Sequence, residues 1–213
     1  MNNQLRNERD LQELSNELSD YIISNYENKL IKKIITSDYG HFLPFEQEAI
    51  YELSLGNKPE CRDLICDKME KYLRDNDKII IDGFIHFRLK EYKLRLSEAV
   101  NRSVEEFEVK KEYDNFVNLI RYFIDMQIPL YSMVHLCVED CETITILNDK
   151  KVKVAQESNP DLLLDTIISI APNRIYLHKP EDFVNEELIN TIMCIFSGKI
   201  TVCNGCGICG KIQ

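Results

Sequence analysis

Three thiols near the C-terminal end of the sequence carry the clearest chemistry. The run Cys203-Asn204-Gly205-Cys206-Gly207-Ile208-Cys209-Gly210 spaces its cysteines at C-x2-C-x2-C. Soft thiolates so placed converge on one ion when the backbone between them folds tightly, and the interleaved glycines supply that freedom. The same three positions match the opening of a ferredoxin-type iron–sulfur run. The fourth cysteine of such a run, and the proline after it, do not appear before Gln213, where the sequence ends. A fourth ligand must therefore come from another part of the chain. The candidates are Cys141, in the acidic stretch Glu139-Asp140-Cys141-Glu142, and His178, at the end of a short apolar run. Zinc is the first expectation for this donor set. An iron–sulfur cluster or a dithiol redox tail is the alternative, since spacing alone does not separate them.

The remaining chemistry-bearing residues read as structural. Cys61 and Cys66 are five apart on an expected helix, roughly 140 degrees round it, so they do not share a ligand and read as packing. His86 and Arg88, beside Phe84 and Phe87, suit capping or ion pairing. His135 alternates with Val134 and Leu136 and reads as a surface or satisfied core histidine. Arg121-Tyr122-Phe123 is expected to anchor helices to a sheet. No phosphate-cradling glycine loop, nucleophile elbow or spaced carboxylate pair is apparent.

Composition bounds the partners. A formal net charge of −10 repels polyanions, which weighs against nucleic acid and anionic lipid and leaves an unidentified protein as the expected partner. Between Ile79 and Gln127 the basic residues are matched by acids, a mixed solvated face. The N-terminus is polar, and the longest apolar runs, such as Ile192 to Phe196, fall far short of the roughly 20 residues of a membrane span. The chain is therefore expected to be cytoplasmic. Eight cysteines in that reducing compartment point to metal, redox chemistry or burial more than to disulfides.

The elements that must position these residues follow from periodicity. Leu11, Leu14, Leu18 and Ile22 recur at three and four, an amphipathic helix that Leu30, Ile31, Ile34 and Ile35 continue or restart. A short helix is expected after Pro44 and another from Pro59 to about Arg74. A long stripe, Ile85 to Phe107, and a second, Tyr113, Phe116, Ile120 and Phe123, predict two long helices packed antiparallel with these aromatic faces buried. After Pro129 the period becomes two. Strands are expected at Met133 to Val138, Thr143 to Leu147 and Val152 to Ala155, then a helix capped by Asn159-Pro160. A strand at Arg174 to His178, a helix from about Pro180 and a strand at Lys199 to Cys203 complete the chain. The fold class expected is α+β: a helical part over residues 1–129, then a small mixed α/β sheet part over 130–213.

Topology then gathers the ligands. If the meander alternates and the later crossovers are right-handed, the first, third, fourth and fifth strands all run parallel. Their C-terminal ends share one edge, which holds Cys203, His178 and the turn with Cys137 and Cys141. Cys194 falls on the opposite edge.

The segments "DGFIHFRLKEYKLRLSEAV" (Asp82 to Val100), "EYDNFVNLIRYFIDMQ" (Glu112 to Gln127) and "VHLCVED" (Val134 to Asp140) resemble the YtxC-like family. In that family a phenylalanine-arginine-leucine helix leads into an arginine-tyrosine-phenylalanine helix and then a sheet. The resemblance sets the whole chain in register with the family, the cysteine-rich end included. It implies an endospore-forming, clostridial or bacillar source and a link to sporulation. It implies no known substrate, and no catalytic residues carry over. The expectation is a sporulation-associated, non-catalytic protein with a structural metal site. An iron–sulfur or thiol redox protein is the second reading, and an enzyme with a site between the two parts is the third.

Overall fold

The computed structural model describes residues 8–140, 143–182 and 185–208, with the side chains of residues 139 and 140 left aside. The architecture is α+β. The chain divides into two compact units, Met1–Lys111 and Glu112–Gln213.

The first unit is helical: α1 (Glu8–Asp38), α2 (Pro44–Gly56), α3 (Arg62–Asp75), α4 (Ile81–Arg88) and the first part of α5 (Lys90–Met126). Helix α1 is continuous through Leu30. It packs against α3 with Leu11, Ser15, Ser19 and Ile22 on its buried face. The two serines allow close approach because each hydroxyl donates to the carbonyl one turn back, Ser15 to Leu11 at 2.7 Å and Ser19 to Ser15 at 2.6 Å. Ile50, Ile65, Met69, Tyr92, Leu96 and Val100 complete this core.

Two expectations are corrected here. The helix break falls at Leu89, between α4 and α5, and not between the stripes ending at Phe107 and starting at Tyr113. Residues 105–112 are good helix formers without glycine or proline, so nothing stops α5 there. The Lys93 ammonium donates to the His86 carbonyl at 3.1 Å, satisfying a group at the end of α4. The second correction concerns burial: Tyr113, Phe116 and Phe123 are exposed, whereas Val117 and Ile124 are buried.

The second unit holds a five-stranded sheet of β1 (Met133–Asp140), β2 (Thr143–Asn148), β3 (Lys153–Glu157), β4 (Arg174–His178) and β5 (Ile200–Cys203), in the order β3-β2-β1-β4-β5. Strands β1, β4 and β5 pair in parallel, and β1-β2-β3 is the antiparallel meander, so the expected directions hold. One face presents Val134, Leu136, Ile144, Ile146, Ile175 and Leu177. They pack against α6 (Pro160–Ile170), α7 (Glu186–Ile195) and the end of α5. Helix α6 starts as expected: Pro160 occupies its first turn and the Asn159 side chain accepts from the Asp161 and Leu162 N–H groups. Ala171, at φ 47°, closes it in the left-handed conformation. Helix α7 begins later than expected, at Glu186 behind an Asn185 cap, and a short 3-10 turn occupies Pro180–Asp182. Arg121 ties α5 to the far end of α7, where its Nε donates to the Cys194 carbonyl at 2.9 Å and Nη2 joins it.

Candidate metal centre

Alternation along the strands sends one set of side chains to the helices and the other to the opposite face of the sheet. On that second face the register aligns a row across four strands: Thr145 beside Cys137, Cys137 beside His178, His178 beside Cys203. Parallel pairing of β1, β4 and β5 puts the row at their C-terminal ends, the edge that strand direction predicts. Beyond Cys203 the chain turns at Gly205, whose φ of 113° suits only glycine, and Cys206 comes back toward His178.

The ligand atoms of His178, Cys203 and Cys206 all lie within 4.8 Å of one another. The Cys206 Sγ stands 3.6 Å from His178 Nδ1. Tetrahedral zinc, with bonds of about 2.3 Å to sulfur and 2.0 Å to nitrogen, sets a sulfur–nitrogen edge of about 3.5 Å, so this pair fits. The Ile208 N–H donates to the Cys206 sulfur at 3.3 Å. Ile208 is itself buried. His178 is 3% exposed, Cys203 is half-buried and Cys206 is exposed, so the group opens on one side. That side is a hollow of about 420 Å³ lined in part by His135, Lys151, Tyr176 and Asn204.

Behind His178 stands His135, its Nδ1 2.9 Å from His178 Nε2, with its ring stacked on Tyr176. Burial, and then the neighbouring His135, holds His178 below the ordinary imidazole value. Burial, and then Lys151, does the same for His135. Both shifts favour the neutral imidazole, the form whose lone pair a metal needs.

Of the five residues expected to ligate, the structure brings together His178, Cys203 and Cys206. Cys141 and Cys209 lie outside the described residues. His135, expected to be a surface or satisfied core histidine, is half-buried and makes its hydrogen bond to His178. Its alternation with Val134 and Leu136 was the available signal, since it marks the strand face that carries Cys137. Within the same row Thr145 is buried, and its hydroxyl has no hydrogen-bond partner among the described residues.

The first unit accounts for its own buried polar groups. Cys61 is buried and Cys66 half-buried, its thiol donating to Asn16 Oδ1 at 3.3 Å, and burial pushes both thiols up. The buried Glu27 carboxylate accepts from Lys58 at 3.0 Å and from the Tyr92 hydroxyl at 2.9 Å. Glu46 accepts from Lys111 at 2.6 Å and from the Leu43 N–H at 2.9 Å, closing the start of α2.

The YtxC-like family model matches residues 12–201. The match ends before Cys203, so the thiol run lies beyond it and the family's register is not extended to the cysteine-rich end. The uncharacterized protein YtxC of Bacillus subtilis (strain 168) is 24% identical over 170 residues, which are 74% of this chain and 57% of that protein. The chain thus aligns with little more than half the length of this relative. No solved structure matches.

Proposed function

The chain belongs to the YtxC-like family, and from that premise we propose that it is a non-catalytic, sporulation-associated cytoplasmic protein that holds a structural zinc ion at its C-terminal cysteines. One observation carries the metal reading: the ligand atoms of His178, Cys203 and Cys206 fall within 4.8 Å of one another at the mouth of the sheet. His178 binds through Nδ1 and donates its Nε2–H to His135 Nδ1, which holds the tautomer and the ring plane. Cys209 or Cys141 completes the set. A zinc ion there supplies a cross-link between β4, β5 and the segment that follows. The cytoplasmic placing rests on the thiols, which a reducing compartment keeps available as ligands. The link to sporulation rests on the family resemblance, and the partner that fits the net acidic charge is a protein.

The exposed Cys206 and the hollow beside it favour an iron–sulfur or redox centre as the second reading, because a cluster needs more room than one ion. Metal analysis and a visible spectrum of anaerobically purified full chain separate the two. The expected result is colourless protein with one zinc ion per chain. Cys206→Ser should lose the ion while keeping the far-ultraviolet helix signal. A brown, iron-bearing protein would replace zinc with a cluster, and a metal-free chain after zinc addition would overturn both readings.

A further inference from the structure

The two described thiols of the candidate centre stand in different surroundings. Cys203 ends β5, paired there with His178, and is half-buried, whereas Cys206 is exposed beyond the Gly205 turn. Both are reduced in the structure. Their sulfurs and a His178 ring nitrogen lie within 4.8 Å of one another. A disulfide sets its sulfurs about 2.05 Å apart, so one of the two must travel by less than about 3 Å. Cys206 is placed to do so. Residues 204–208 lie outside any helix or strand, and Gly205, at φ 113°, gives the backbone its freedom. C-x2-C is also the spacing of the reactive pair in disulfide oxidoreductases.

We propose that this pair makes the zinc centre redox-regulated: a small disulfide of a low-molecular-weight thiol oxidises Cys203 and Cys206 to a disulfide and so expels the ion. This regulation rests on the zinc reading above. The hollow of about 420 Å³ bordered by both cysteines gives the small disulfide its approach.

The exchange balances without any proton transfer, because zinc-bound sulfurs are already thiolates. The exposed Cys206 thiolate attacks one sulfur of the small disulfide. A mixed disulfide forms, the old S–S bond breaks, and one small thiolate leaves with the electron pair. The Cys203 thiolate then attacks the Cys206 sulfur, closing the Cys203–Cys206 bond and releasing the second small thiolate. The two cysteines lose two electrons, the small disulfide gains them, and zinc leaves as the unchanged dication. A structural zinc site holds four protein donors. With both sulfurs withdrawn His178 and one other ligand remain, too few to keep the ion, and the cross-link between β4, β5 and the segment that follows goes with it.

The full chain, loaded with zinc under anaerobic conditions and cleared of excess metal, tests this with oxidised glutathione as the probe. A chromophoric chelator follows the metal, and differential alkylation read by fragment masses locates the new bond. The expected result is release of about one zinc per chain together with a Cys203–Cys206 disulfide, reversed by a thiol reductant and added zinc. Cys194 is exposed but has no place in the site, so Cys194→Ser should release zinc as the unaltered chain does. A chain that never loads zinc overturns the metal reading and the regulation with it. One that loads zinc and keeps it in excess oxidised glutathione overturns the regulation alone. So does release in which Cys206 is found bonded to Cys209 or to any other cysteine, or release that Cys194→Ser abolishes.

Discussion

A histidine whose second nitrogen is already engaged is a different ligand from a free one. His178 offers Nδ1 toward Cys206 while Nε2 faces His135. Removing that support leaves the ring free to turn and the tautomer unselected. His135→Ala should therefore weaken zinc binding about 10- to 100-fold, the usual cost of losing an outer partner. His135→Gln, whose amide oxygen can accept the same N–H, should recover most of it. Competition with a chromophoric chelator measures both. Equal affinity in all three proteins would remove His135 from the site. The thiol spacing and His178 were legible in the sequence, because C-x2-C and a strand end are local signals. His135 was not, since its partner lies 43 residues away and only the parallel pairing of β1 with β4 brings the rings together.

At the scale of elements, α5 shows why an apolar periodicity does not name the buried face. Phe116 and Phe123 run one residue behind Val117 and Ile124, so both stripes have helical spacing. The larger aromatic residues suggest the core, yet the aliphatic ones occupy it. Ile124→Ala should accordingly destabilise the second unit by about 2–5 kcal/mol. Phe116→Ala should change stability by no more than about 0.5 kcal/mol. Denaturant unfolding of the two variants makes the comparison, and a large loss for Phe116→Ala would show that its ring is covered. The sheet was far more legible, because alternation and the Asn159-Pro160 start mark each strand and turn locally. The ends of α5 were not, since no glycine or proline announces the break at Leu89 or interrupts residues 105–112.

For the whole molecule, the two cores respond to different conditions. In the first unit the Lys111 ammonium, and then the Leu43 N–H, hold the Glu46 carboxyl below its ordinary value of 4.5. A carboxylate favoured by the fold stabilises it above the unfolded value, and that contribution is lost as pH falls through the folded one. Melting of the helical signal should therefore fall in acid, starting near pH 4.5, with a weaker dependence in Glu46→Gln. Thermal scans from neutral pH downward would show it, and parallel curves for the two proteins would discount this carboxylate. In the second unit the proposed metal centre would tie stability to zinc instead.

Among the described residues strand β5 lies at the margin of the sheet and pairs with β4 alone, over Ile200–Cys203. So short a border strand opens before the interior ones do. The proposed ion, gripped by Cys203, Cys206 and His178, would act as a clasp on that border, and its loss would be felt as peeling from one side while the middle of the sheet stays closed. Once β5 lifts, the outer rim of β4 bares a row of N–H and C=O groups on which another extended segment can lie down.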